Sequence, residues 1–442
     1  MLDQVQRAFD LAAEKLSRCD LTPVRGTVLA VNGITIEAEL PNARIGELCD
    51  LYSLQPPLRL LGEVIGVHGA CAYISPLEPL GGASTRLTVV PSGRSASVLV
   101  GHSLLGAVVD SSGRAWAGQR SSQGLVRRPL FAEAPAAADR VPIAAPMMTR
   151  IPAIDALLTC GTGQRIGIFG PAGAGKSTLV KALMDHVECD VVVVGLIGER
   201  GREVSDLVSE LSKTDRVQKT VVVAATSDRP PLERWQAALA ATTIAEFFRD
   251  EGRRVLLIVD SVTRVARAMR DIGLARGEPP TRRGFPASVF SQLPMLFERA
   301  GSFKNGSITA FYTFLVDGEL SQDPISDEAK SLLDGHIVLS AELAQSGHFP
   351  AIDILGSQSR LMSHVTAPEH QHAAHRVRGL MAAYKRSELL IRVGEYRPGN
   401  DTLTDEAIAK WEPITEFLQM QLRPNQNADV AIQAIQSLAR LS

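Results

Sequence analysis

Aromatic residues make up only 5% of this 442-residue chain, cysteines number five, and charges of opposite sign nearly cancel, 46 Lys and Arg against 48 Asp and Glu. Each scarcity narrows the field. Cys19, Cys49, Cys71, Cys160 and Cys189 are odd in number, widely spaced and form no C-x-x-C pair, the usage of reduced, structural thiols in a cytosolic protein. The balanced charge gives no global attraction to nucleic acid or anionic lipid. No apolar run approaches the ~20 residues that a membrane helix needs, the longest notable one being VVVVGLIG at 191–198. The opening MLDQVQRAFDLAAEKLSRCD carries charges every few residues and reads as an amphipathic helix over 1–21, not a signal peptide.

What is present has a clear order. The length allows two or three domains, since single cores stop growing near roughly 250–300 residues. Residues 22–92 hold short β-type runs (RGTVLAV, GITIEAEL, GELCDLY, LLGEVIGV, ACAYISP) separated by Gly, Pro and Asn, the pattern of a small β-barrel or sandwich. Over 93–365, after a loop-rich passage, strand-like runs RIGIFG, VVVVGLIG, KTVVVAAT and RRVLLIVD alternate with helix-length segments, which predicts a mostly parallel sheet with crossover helices. Residues 366–442 read as helical, ending in ADVAIQAIQSLARL. The expected class is α/β, with a barrel before a P-loop domain and helices after it.

GPAGAGKST satisfies G-x-x-x-x-G-K-[ST] through Gly170, Gly175, Lys176 and Ser177, follows a predicted strand and opens a predicted helix. The glycines let backbone amides from Gly173 through Ala174, Gly175, Lys176 and Ser177 to Thr178 turn toward phosphates, with the helix N-terminus adding positive potential. Lys176 supplies a full charge to the same oxygens and Ser177 a hydroxyl to Mg²⁺. RRVLLIVD ends in Asp260, placed at a strand's carboxyl end to hold Mg²⁺ through water. Glu199 and Arg200 follow another buried-type strand. A Glu-Arg pair there is either a solvated turn or, with Glu199 on the phosphate-loop edge, a group that polarises an attacking water.

Longer stretches carry a resemblance. GIFGPAGAGKSTLV, GLIGERGREV, ATSDRPPLERWQAALAATTIAEFF, LLDGHIVLS and GHFPAIDILGSQSR are similar to the catalytic subunits of rotary F-type ATPases, and more closely to their protein-export branch, the type III secretion and flagellar export ATPases. The resemblance implies a RecA-like P-loop domain that hydrolyses ATP with Mg²⁺. It makes Glu199 the acid that orients water, Arg200 a phosphate-facing arginine, Arg360 an arginine finger donated to the neighbouring subunit's nucleotide, and Phe349 the aromatic against the adenine. A finger acting in trans implies a homohexamer.

The export branch further implies a central stalk protein, a peripheral stator or regulator, chaperone–effector complexes and an inner-membrane export gate as partners, at the cytoplasmic face of that membrane. The alternatives are flagellar export and, behind it, a proton-coupled rotary subunit. An RNA translocase would need a basic, aromatic-lined β domain. Residues 22–92 offer only Tyr52 and Tyr73, and four arginines against six acids, so nucleic acid is not expected. The arginine-bearing loop 275–290 reads as a solvated loop or, by resemblance, as one facing a central channel. His370, His372 and His375 form a solvated or packed face, or less favourably a metal site with Glu369.

Overall fold

The computed structural model describes residues 24–116, 123–316, 322–420 and 429–440, so the helix expected over 1–21 lies outside the described residues. The chain divides after Ala96 into two compact units. In the first, β1 (Gly26–Asn32), β2 (Thr35–Glu39), β3 (Glu47–Leu54), β4 (Pro57–His68), β5 (Cys71–Pro76) and β6 (Thr88–Ser95) close into a barrel in the order β1-β2-β5-β4-β3-β6. Alternation along the strands builds it: Cys49 and Leu51 point inward between Asp50 and Tyr52, and join Val28, Ile36, Val64, Ile74 and Val89 in one core. Burial first, then the charges of Glu47 and Asp50, push the Cys49 thiol up to about 12, so it stays protonated and packs as a small apolar group.

The second unit is organised by a nine-stranded sheet. Its main path comprises β7 (Val108–Val109), β8 (Arg165–Gly170), β9 (Val191–Ile197), β10 (Thr220–Ala225), β11 (Arg254–Asp260), β12 (Ser307–Leu315), β13 (Gly335–Leu339) and β14 (Ile352–Ser359), in the spatial order β14-β13-β8-β12-β11-β9-β10-β7. Every pairing from β7 to β13 is parallel, and only the edge strand β14 runs antiparallel to its neighbour on this path. The four runs singled out in the sequence are central strands, and β9 is buried at every residue because helices cover both of its faces. β12, late in the chain, slots between β8 and β11. The carboxyl ends of β8, β11 and β9 therefore open along one edge.

Crossovers follow the strands: α1 (Lys176–His186), α2 (Gly201–Leu211), α3 (Pro231–Asp250) and α4 (Val262–Ala275). α3 starts with Pro231 at its first turn, where no amide partner is lost, and is buried along most of its length. The later helices α5 (Pro368–Arg392), α6 (Thr402–Leu418) and α7 (Asp429–Ala439) share one core with the sheet. Val377, Leu380, Ile414 and Ile435 belong to the same buried cluster as Ile166, Leu179 and Val194.

Arg299 and Glu246 form a charged pair inside this unit. Arg299 is 1% exposed; its Nε donates to Glu246 Oε1 (2.9 Å), Nη2 to Thr243 Oγ1 (2.7 Å) and Nη1 to the Leu130 carbonyl (2.8 Å). Removing one partner leaves Glu246 as an uncompensated buried charge. Arg299→Ala is expected to cost about 3–5 kcal/mol of stability, read as a drop in the urea midpoint at unchanged slope. A loss below about 1 kcal/mol would show that the pair is solvated in practice.

Candidate active site

Gly170 ends β8, and the chain turns through Gly173 and Gly175 into α1. Gly175 caps the helix with φ at +84°, a left-handed conformation that L side chains rarely adopt, and a Cβ there would stand 3.4 Å from Phe349 Cε1. The turn is thus fixed in shape from one side by an aromatic ring. The Ala174 amide bonds within the turn, to the Pro171 carbonyl at 3.4 Å, and the Leu179 amide donates to the Gly175 carbonyl at 3.0 Å. Ala174 is buried beneath the turn, while Ser177 and Thr178 lie exposed in the first turn of α1. The amides of Gly175, Lys176, Ser177 and Thr178, at the cap and first turn of α1, are the orphan donors of a helix N-terminus.

Phe349 stands beside this turn because His348 to Pro350 lead into β14 at the phosphate-loop edge of the sheet. Phe349 is 44% exposed and, with Pro350, Ile151, Leu179 and Leu339, lines a mainly apolar cavity of about 230 Å³ against α1, with Arg150 and His186 among its walls. A planar body can lie against the Phe349 ring there.

On the other side of α1 lies a cavity of about 370 Å³ lined by Ser177, Thr178, Glu199, Glu203 and Asp260. Asp260 ends β11 and Glu199 follows β9; these strands are paired with Leu196 opposite Asp260, so the register brings the two acids to one place. Lys176 Nζ lies 3.0 Å from Asp260 Oδ1, both side chains largely buried. Thr313 Oγ1 on β12 donates to the same Oδ1 at 2.6 Å. Ser177, Asp260 and Lys176, expected together from the sequence, are together.

Glu199 is 7% exposed. Its Oε2 accepts from Arg264 Nη2 at 3.1 Å, while Oε1 is buried without a hydrogen-bond partner. Burial first, then the negative charge of Asp260 and the neighbouring Glu203 carboxyl, push its pKa up to about 7, against the opposing pull of Arg264 and Lys176. A buried carboxyl poised near neutrality with one oxygen free of donors can take a proton from, or align, a water in the cavity. Glu199 is thus a buried side chain on the cavity wall.

Arg200 sits differently from the sequence expectation. Its side chain is 79% exposed and stands 3.7 Å from Glu203, so its ionic contact is to an acid on the cavity wall. The guanidinium against Glu199 belongs to Arg264 on α4, which also donates to the Gly198 carbonyl. Sequence reasoning passed over Arg264 and Thr313. The sequence offered only weak signals: an arginine one helical turn beyond Asp260, and a threonine set between Tyr312 and Phe314 in SITAFYTFL.

Arg360 lies at the far edge of the sheet. β14 is antiparallel to β13, with Ile352 opposite Leu339 and Ser359 opposite Gly335, and Gly335 in turn is level with Ile166 near the start of β8. The run from Arg165 to Gly170 spans about 17 Å at ~3.3 Å per residue, further than an arginine side chain extends. Arg360 is exposed there and donates to the Lys330 carbonyl at 3.0 Å.

His370 is buried, its Nε2 2.7 Å from the Ala156 carbonyl, and no His, Cys, Asp and Glu group able to hold a metal occurs among the described residues. The packed face is the reading that stands for His370. In the loop 275–290, Arg282 lies over the Phe290 ring at 5.4 Å and 3.5 Å from Glu328. No helix among the described residues is long and apolar enough to cross a membrane.

Residues 150–359 match the model of the ATP synthase alpha/beta family nucleotide-binding domain, and 366–440 that of the T3SS EscN ATPase C-terminal domain. A type 3 secretion system ATPase of Sinorhizobium fredii is 49% identical over 402 residues, 91% of this chain and 89% of the relative. A flagellum-specific ATP synthase of Treponema pallidum is 44% identical over 393 residues, 89% of this chain and 88% of the relative. The assembled ATPase EscN of the enteropathogenic E. coli type III secretion system matches with a TM-score of 0.88 at 45% identity, covering 94% of this chain and all of that one; in complex with its central stalk EscO, EscN matches at 0.84 over the same coverage. With 49% identity to a type 3 secretion system ATPase along nine-tenths of its length and the fold of EscN, the chain belongs to the type 3 secretion system ATPases, within the ATP synthase alpha/beta nucleotide-binding proteins.

Proposed function

We propose that this chain hydrolyses ATP to drive protein export through a type III secretion apparatus. The observation that carries the reading is the carboxyl-end edge of the sheet. There a nearly buried Lys176–Asp260 pair at 3.0 Å adjoins Glu199, whose Oε1 has no protein donor. Lys176 and Asp260 neutralise one another; phosphate oxygens and a magnesium ion carry the same two charges and can replace each partner in turn. The cavity fits that ion, with one hydroxyl from Ser177 and one carboxylate from Asp260, because Mg²⁺ takes few protein ligands and keeps its waters and phosphate oxygens. When bound, it neutralises charge developing on the β- and γ-phosphates.

The chain's own residues do the rest. The loop amides from Gly173 to Thr178 and Lys176 hold the phosphates, Phe349 covers the base, and Glu199, steadied by Arg264, aligns the attacking water in line with the bond that breaks. Arg360, too far from its own loop, is assigned to the neighbour's site, which makes the working form a ring. EscN is an assembled ATPase with a central stalk, and a homohexamer around a stalk is the assembly proposed here. A peripheral stator, chaperone-bound cargo and a membrane export gate complete the proposed set of partners, at the cytoplasmic face of the inner membrane.

Flagellar export is the second reading, favoured by the 44% identity to a flagellar relative. Lys176→Ala in the source organism separates the two. Purified protein is expected to lose phosphate release, and the strain to lose secretion of type III substrates into the medium while swimming as before. Lost motility with intact secretion would assign the protein to the flagellum, and retained phosphate release would refute the assignment of the loop.

A further inference from the structure

Thr313 has no part in the mechanism above, yet it is entirely buried and its Oγ1 lies 2.6 Å from Asp260 Oδ1. We propose that Thr313 is a positioning residue that fixes the Asp260 carboxylate for the metal, an inference resting on the reading of this cavity as a magnesium-dependent ATPase site. The topology makes the contact rigid. β12 is hydrogen-bonded on one side to β8, with Ile168 opposite Thr313, and on the other to β11, with Val259 opposite Tyr312, so Asp260 follows directly beside Thr313. Thr313 is flanked along the strand by Phe311, Tyr312, Phe314 and Leu315, and it is the Thr313 hydroxyl that bonds to Asp260.

Asp260 Oδ1 thus takes two donors of different kinds, the Lys176 ammonium at 3.0 Å and the Thr313 hydroxyl. The ammonium sits on a flexible four-carbon stem and is the group that phosphate would draw away. The hydroxyl sits on a short, β-branched side chain with few rotamers, on a central strand. When Lys176 turns to phosphate, Thr313 keeps Oδ1 in place, fixing the plane of the carboxylate and with it the position of Oδ2. A partner behind a metal-holding carboxylate typically accounts for 10–100-fold in metal affinity.

The alternative is that Thr313 merely satisfies its own buried hydroxyl. The two readings separate on a measurement that needs no turnover: equilibrium binding of a fluorescent ADP analogue with a methylanthraniloyl ribose, in magnesium and in EDTA, to the full-length protein. In the parent protein magnesium is expected to tighten binding. If it does not, Asp260 holds no metal, and the ATPase reading and this inference both fall. Given that gain, Thr313→Val is expected to lose about 10-fold in affinity in magnesium and to match the parent within about twofold in EDTA. Thr313→Ser, which restores the hydroxyl, is expected to recover the loss. Equal weakening in both conditions, or no loss in magnesium, overturns the role of Thr313 while leaving the ATPase reading intact. Thr313→Ala, with the same expectation, replaces the valine variant should that one fail to fold by thermal unfolding.

Discussion

Glu199→Gln is expected to bind ATP within about twofold of the parent protein and to lower kcat by about 10²–10⁴-fold, the range a positioned general base supplies. The amide keeps the shape that packs against Arg264, so Arg264 Nη2 still has an oxygen to donate to. It also removes a negative charge beside Asp260, which relieves repulsion and spares binding. What it cannot supply is a second lone-pair oxygen to a water at the Oε1 position. Steady-state phosphate release together with equilibrium nucleotide binding checks this, and turnover at the parental rate would remove Glu199 from the mechanism. The sign of the pH dependence follows from the same environment. Glu199 must be ionised to accept, and burial and Asp260 push it up to about 7, so kcat/KM should rise with pH through about 7 and fall away below it.

Arg360→Ala should bind nucleotide normally and lose about 10³–10⁵-fold in kcat, the usual contribution of an arginine finger. The argument for action in trans is topological. Arg360 follows the antiparallel edge strand, which carries it away from the phosphate loop to the start of the sheet, where its backbone amide bonds to the Asp334 carbonyl at 3.0 Å. Its own site is out of reach whatever rotamer it adopts. Mixing Arg360→Ala with Lys176→Ala, each inert alone, should therefore restore part of the activity. Interfaces pairing the intact loop of the first with the intact arginine of the second are complete. Absence of any recovery, in rings shown by mass to contain both variants, would place the finger elsewhere.

Much of the site was legible in sequence because its parts are local. A phosphate loop is one turn between one strand and one helix, so Gly170 to Thr178 define it without tertiary information. Asp260 is legible because a buried parallel strand reads as an unbroken apolar run and the acid ends it. Arg264 and Thr313 were not legible as site residues. Their roles come from which strand lies beside which, and β12 reaches its place between β8 and β11 only after about fifty residues of intervening helix, hairpin and loop. Arg200 shows the converse: its place next to Glu199 in sequence suggested a shared task, but the turn into α2 sends its side chain to solvent, where it meets Glu203.

By itself, then, the sequence determined the element types, the barrel-sheet-helix order and the nucleotide loop, because hydrophobic periodicity and glycine placement act over a few residues. Tertiary structure decided which acid is poised and which arginine steadies it. It also set Arg360 apart from its own loop, because sheet order and register are long-range hydrogen-bonding choices that no local pattern encodes.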